Sequence, residues 1–219
     1  MDNVVLTGVV IRSAEAGEYD RRLNMITGEQ GLVTVFARGA RRQGSRLLSV
    51  SMPFTFGRFT VSEGRNSKRL MSAEVINYFD ALKHDLSSVA YGSYILELSE
   101  YFAQENMEAG EVIRLIYQSF RALEAPSVDD RLVRRVFEIR TLINEGIYPG
   151  LEGRNCSGDL MRTLSHIETV PLEKLYTFRV SDEVLDELSD FSAGLVKRCV
   201  DRPLKSEAAI RSLLANETP

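Results

Sequence analysis

The first eighty residues carry short apolar runs with no helical period. Asn3 to Ser13 is rich in Val and Ile and predicts a first strand, followed by turn material at Ala16-Gly17-Glu18. Leu23 to Thr27 is a second run, closed by Gly28-Glu29-Gln30-Gly31. Leu32 to Ala37 alternates, with Val33, Val35 and Ala37 on one face and Leu32, Thr34 and Phe36 on the other. Phe54 to Val61 predicts a fourth strand whose parity slips: Phe54 and Phe56 share a face, while Phe59 and Val61 point the other way. Gly57 sits at the slip, as expected for a bulge or a barrel bend. Leu70 to Phe79 is the fifth run.

Five short strands with glycine turns predict a small closed sheet, and a five-stranded OB barrel fits the count. The period then changes from two to 3.6. Tyr91, Tyr94, Ile95, Leu98 and Phe102 form one amphipathic stripe, and Val112, Leu115, Ile116, Phe120 and Leu123 form another. Leu132, Val133, Val136, Phe137 and Ile143 form a third, with Ser127 read as its N-cap. A glycine-rich break covers 146–158. Val184, Leu185, Leu188, Phe191, Leu195 and Cys199 mark a later helix, capped by Ser181, with Asp182 and Glu183 at its positive end. A last helix is expected after Ser206, with Ile210, Leu213 and Leu214 inward. The expected fold is α+β: a barrel over 1–80 followed by an all-helical domain over 81–219.

The composition, 44% apolar and 26% charged, is that of an ordinary soluble globular chain. Two cysteines are too few for a disulfide framework, and no apolar run reaches the roughly 18 residues of a membrane span. The start of the chain lacks the features of a signal peptide, so a reduced cytoplasmic setting and no membrane association are expected. The net charge of -4 gives no support to nucleic-acid binding, but its distribution does. Up to Leu70 there are 11 basic and 6 acidic residues, and beyond it 16 and 25. This sign asymmetry hints at a basic binding face on the barrel.

The strongest local feature is the segment Arg38-Gly39-Ala40-Arg41-Arg42-Gln43-Gly44-Ser45-Arg46. From Arg38 to Arg69 eight basic residues (38, 41, 42, 46, 58, 65, 68 and 69) face one acid, Glu63. Clustered cations displace counterions from phosphates, and arginine adds planar contacts to phosphate and base. Arg38, Arg41, Arg42, Arg46, Arg65, Lys68 and Arg69, with Arg21 on the preceding turn, are therefore candidate DNA contacts; the plainer reading is a solvated surface loop. Gly39-x-x-x-x-Gly44-Ser45 looks like a phosphate-binding loop, but the lysine that should follow the second glycine is absent. Phe54, Phe56 and Phe59 fit a barrel core better than a stacking surface, whereas Tyr19, flanked by charge, fits an exposed one.

His166-Ile167-Glu168 lacks the P-C-x-x-C partner of zinc deaminases. Cys156, Cys199, His84 and His166 have no structural-zinc spacing, and Cys199, on an apolar stripe, reads as a buried thiol. No catalytic constellation is visible and no cofactor is expected. On the third long helix Arg131, Arg134, Arg135 and Arg140 lie mainly off the apolar stripe, and Arg134 can pair with Glu138. Arg131 and Arg135, together with Arg202 and Lys205 around Pro203-Leu204, are candidate contacts for a partner protein, against the plainer reading of surface ion pairs and a helix connection.

The chain resembles the bacterial RecO recombination mediators. Val5-Leu6-Thr7-Gly8-Val9-Val10-Ile11-Arg12-Ser13 looks like that family's first strand, and Gly17-Glu18-Tyr19-Asp20-Arg21 its first turn. The most specific match is Gly31-Leu32 through Ala37-Arg38-Gly39-Ala40-Arg41-Arg42, followed by Pro53-Phe54-Thr55 and Ala73-Glu74-Val75. Pro171-Leu172-Glu173-Lys174-Leu175, Phe178-Arg179 and Pro203-Leu204-Lys205-Ser206 are similar to late segments. The resemblance implies an OB domain and a helical domain, monomeric alone and associated with the nucleoid. It implies binding to ssDNA and dsDNA, strand annealing, and work with RecR to load RecA onto DNA coated by single-strand-binding protein (SSB). Arg38, Arg41 and Arg42 carry over as DNA contacts, with Arg21 and Arg46 beside them, and Lys205 as a partner-site residue. The chain departs from the family at its four-cysteine zinc module, of which only Cys156 remains, so no zinc is expected. Two other readings stay open: an adaptor whose own DNA binding is weak, and an enzyme such as a nuclease.

Overall fold

The computed structural model describes residues 3–64, 67–150 and 156–217. Two compact units divide the chain: Met1–Asp80 with Phe102–Ile113, and Ala81–Tyr101 with Arg114–Pro219.

The first unit is built on β1 (Asn3–Ala16), β2 (Asp20–Thr27), β3 (Gly31–Ala37), a single helical turn α1 (Leu47–Val50), β4 (Phe56–Glu63) and β5 (Lys68–Asn77). The strands close in the order β1-β2-β3-β5-β4, with β1 pairing to both β2 and β4 and only the β3–β5 contact parallel. This is an OB barrel. Inward positions on alternate residues form its core, including Leu6, Leu23, Met25, Val35, Phe59 and Leu70. Phe54, Phe56 and Phe59 are all buried.

Gly57 lies at the expected irregularity: Phe56 pairs with Asn77 but Gly57 with Val75, so Ile76 on β5 is the extra residue. Gly57 also pairs with Gly8 on the adjacent strand β1. A Cβ on Gly8 would sit 2.2 Å from the Ile26 carbonyl oxygen, and one on Gly57 2.5 Å from that of Glu74. The two glycines let strands pass closer than any side chain permits. Residues 104–109 strap the β2–β3 turn through hydrogen bonds from Leu32 N–H to the Gln104 carbonyl (3.0 Å) and from Ala109 N–H to the Gly28 carbonyl (2.9 Å).

α2 (Asp80–His84), α3 (Leu86–Phe102), α4 (Gly110–Leu123), α5 (Asp130–Asn144), α6 (Gly158–Thr169), a 3-10 turn (Leu172–Lys174), α7 (Asp182–Cys199) and α8 (Lys205–Glu217) follow. In the second unit α5 packs against α6 and α7 and buries Leu132, Val133, Val136, Phe137 and Leu142. Its N-cap is Asp129, whose carboxylate accepts from Arg131 N–H, and not Ser127, which lies in the preceding turn. Ser181 caps α7 as expected. Ile210 is buried, but Leu214 is 42% exposed, and Cys199 is only half-buried.

Within the same unit a charged cluster is sealed among helices. The Glu138 carboxylate, fully buried, accepts hydrogen bonds from the Tyr94 hydroxyl (2.6 Å), Arg134 Nε (2.9 Å) and Arg135 (3.0 Å). Arg134 also reaches Glu207 on α8 at 3.2 Å. The start of α8 is held by Glu97 on α3, which accepts from the main-chain N–H groups of Lys205 (3.0 Å) and Ser206 (2.8 Å).

Candidate nucleic-acid interface

The basic loop after β3 is fastened to the β1–β2 turn. The Asp20 carboxylate accepts from Gly39 N–H at 2.7 Å, and the Tyr19 carbonyl accepts from Arg41 N–H at 2.9 Å. Gly39 adopts a left-handed φ of 67° that allows the chain to double back here. Two tight turns follow, closed by Arg42 N–H to the Gly39 carbonyl and Ser45 N–H to the Arg42 carbonyl. The outcome is that Arg38, Arg42 and Arg46 are exposed, and none has a carboxylate partner among the described residues. The Arg42 guanidinium lies 5.2 Å from the centre of the Tyr19 ring. Tyr19 itself is 44% exposed.

Strand register adds a second group of cations. Arg22 pairs with Phe36 across β2–β3, and Phe36 pairs with Arg69 across β3–β5. Residues directly opposite in a sheet share a face, so Arg22, Phe36 and Arg69 form one outward row. The next row holds Arg12, Asn24 and Thr34. Arg22 and Arg69 are exposed, with no carboxylate partner among the described residues. The face of the second and third strands, with the loops joining strands 1–2 and 4–5, is where OB folds bind oligonucleotides. Arg22 was not among the residues singled out from sequence. The inward parity of Leu23 and Met25 was the available signal, since it turns Arg22 outward.

Other expected contacts are engaged inside the unit. Arg41 bridges to Glu15 at 2.8 Å and donates to the Gly17 carbonyl at 3.3 Å. Arg21 lies half-buried, donating to Ser13 Oγ at 3.0 Å and Met52 Sδ at 3.2 Å. Lys68 bridges to Glu63 at 2.8 Å and also donates to Gln30. The Lys68 hydrogen bond, then that of Gln30, holds the Glu63 carboxyl below the usual glutamate range. Arg58, counted in the basic run, pairs with Glu74. Arg65 lies outside the described residues.

The expected partner contacts all fall in the second unit. Arg131 is held by Asp129 (2.7 Å) and Asp182 (3.3 Å). Arg135 donates to Glu138 and to Ser189 Oγ. Arg202 is exposed with its guanidinium 5.3 Å from the Tyr101 ring centre, and Lys205 is exposed at the start of α8. Among the described residues no group of three or more His, Cys, Asp or Glu could hold a metal ion, and no helix is long and apolar enough to cross a membrane.

Two family models match in succession: the N-terminal part of recombination protein O over residues 1–79 and its C-terminal part over residues 83–159. The chain belongs to the RecO family. A DNA repair protein RecO from Exiguobacterium is 30% identical over 155 residues, covering 71% of this chain and 62% of that protein. The RecO of Acetivibrio thermocellus is 24% identical over 235 aligned positions, covering 92% and 94%. That of Listeria welshimeri is 32% identical over 145 residues, covering 66% and 56%. The matched stretches thus span less than two thirds of the Exiguobacterium and Listeria RecO proteins and nearly all of the Acetivibrio one.

Proposed function

We propose that this chain is a non-enzymatic DNA-binding protein of recombinational repair. It binds ssDNA and dsDNA without sequence preference, anneals complementary strands, and with RecR assists RecA loading onto SSB-coated DNA. The observation that carries the DNA-binding reading is the set of five exposed arginines on the barrel unit (22, 38, 42, 46 and 69) that have no carboxylate partner among the described residues. Family membership supports the repair role, and the partners rest on the resemblance. Annealing needs strands gripped by their phosphates with the bases left able to pair, and backbone neutralisation by arginine does this without reading sequence.

The reading is tested by fluorescence anisotropy of a labelled single strand across a salt series. Five phosphate contacts give a slope of log K against log salt of roughly -3.5. Arg38→Ala, Arg42→Ala and Arg46→Ala together should flatten it by roughly 2. A flat salt response in the native protein overturns the mechanism. It would favour instead an adaptor, a reading that the excess of acidic residues beyond Leu70 keeps in view. A pull-down with RecR that survives the triple substitution would then decide for the adaptor.

A further inference from the structure

Tyr19 is the one aromatic side chain of the barrel unit, among the described residues, that is exposed rather than buried or half-buried. It is also the aromatic ring placed among the basic loop's cations. Its position is fixed by main-chain and neighbouring bonds and not by its own hydroxyl. The Tyr19 carbonyl takes the Arg41 N–H, the adjacent Asp20 holds Gly39, and Arg41 clasps Gly17 and Glu15. The ring is therefore presented on a braced turn, with the Arg42 guanidinium against it at 5.2 Å. An exposed aromatic ring costs little entropy to hold ready when its backbone is already fixed.

We propose that Tyr19 is a base-stacking platform through which the barrel prefers single strands to duplex. The proposal rests on the DNA-binding reading above and deepens it. The arginines recognise phosphates, which both forms of DNA present. A ring recognises the face of a base, and in a duplex both faces of every internal base are covered by its neighbours. An unpaired base lays one face on the side of the Tyr19 ring that Arg42 leaves open, while the Arg42 guanidinium, over the other side, meets the adjoining phosphate. Stacking is indifferent to base identity, because every base has a π-face.

The test compares three labelled probes on the native protein and on Tyr19→Ala and Tyr19→Phe: an oligothymidine, an oligonucleotide of equal length and charge with abasic sites, and a duplex. Native protein should prefer the oligothymidine to the abasic strand by about 5- to 150-fold, the range for one stacked base. Tyr19→Ala should bind oligothymidine no better than the abasic strand, with abasic and duplex binding unchanged. Tyr19→Phe should behave as native, since the ring and not the hydroxyl acts. An equal loss by Tyr19→Ala on all three probes would overturn the proposal, because the ring would then only seat Arg42. Unchanged oligothymidine binding by Tyr19→Ala would overturn it as well. Failure of the native protein to bind any probe would instead remove the DNA-binding reading, and the stacking platform with it. Thermal melting separates these outcomes from misfolding, and the exposed ring predicts an unchanged Tm.

Discussion

Glu138 has to be charged where no water reaches it. Burial by itself pushes its carboxyl pKa up, but the guanidinium groups of Arg135 and Arg134, with hydrogen bonds from Tyr94 and Ser192, outweigh that and hold it below the ordinary value of 4.5. A carboxyl whose folded pKa lies below its unfolded one adds stability that is fully present above the unfolded value. That stability is lost as pH falls through the folded value. Native protein should therefore lose stability in acid below about pH 4.5 partly through this group. Glu138→Gln leaves two guanidinium groups facing a neutral amide, and urea denaturation at pH 7 should show a loss of about 3–5 kcal/mol. The same variant should respond less steeply to acid than the native protein does. The Arg134–Glu138 pair was legible from its spacing of four. The turning of Arg135 onto the same carboxylate was not, because it depends on how α5 meets its neighbours. The candidate DNA face shows the same limit. Arg38, Arg42, Arg46 and Arg69 were singled out by counting charge and are exposed, but Arg41 and Lys68 are occupied by Glu15 and Glu63 through turns and strand pairings that a count of charge does not see.

Among the elements, the barrel depends on close strand approach where β1 runs between β2 and β4. Gly8 and Gly57 face each other there, and each meets a neighbouring backbone carbonyl too closely for a Cβ. Gly8→Ala must push strands apart, because the obstructing atom is backbone and cannot rotate away. A loss of about 1–3 kcal/mol or more is expected in urea denaturation, with strand-face DNA binding reduced in parallel. The attachment of α8 is more local. Glu97→Ala removes the acceptor for two main-chain donors at its start, so about 1 kcal/mol should be lost. Hydrogen exchange should rise over 205–217 before it rises elsewhere. β3 was readable because its apolar residues alternate and β1 because it is rich in Val and Ile, and the irregularity at Gly57 was readable as a slip of parity, although the extra residue lies on β5. The far end of β1, Ala14 to Ala16, was not, because polar residues carry the pairing there. Helix α6 also escaped notice. Leu160, Leu164 and Ile167 give it only a thin stripe directly after the glycine-rich break. Asp129 rather than Ser127 caps α5, since both residue types suit the position and only backbone geometry chooses between them.

For the molecule as a whole, a net charge of -4 argues against DNA binding only if charge acts as a total. It does not: at physiological salt a charge is screened beyond about 8 Å, so a strand lying on the barrel senses mainly the side chains it touches. Affinity should then follow the number of arginines free to exchange counterions for phosphate, not the number of basic residues in the sequence. Two double variants separate these ideas, because both remove the same formal charge. Arg22→Ala with Arg69→Ala deletes two exposed cations that have no carboxylate partner, and the single-strand salt slope should flatten by about 1.4. Its Tm should hardly move, since neither side chain is bonded to another described residue of the barrel. Arg41→Ala with Lys68→Ala deletes two cations already bound to Glu15 and Glu63. The slope should stay near its native value while Tm falls, because the basic loop loses its clasp on the β1–β2 turn and Gln30 and Glu63 lose the amine between them. If both variants flatten the slope equally, the internal ion pairs open when DNA arrives and total basic charge is the better guide. If the first variant alone does so, the DNA surface is the row Arg22–Phe36–Arg69 together with the exposed tips of the loop, and the count of free arginines on the barrel, not the net charge of the chain, sets the affinity.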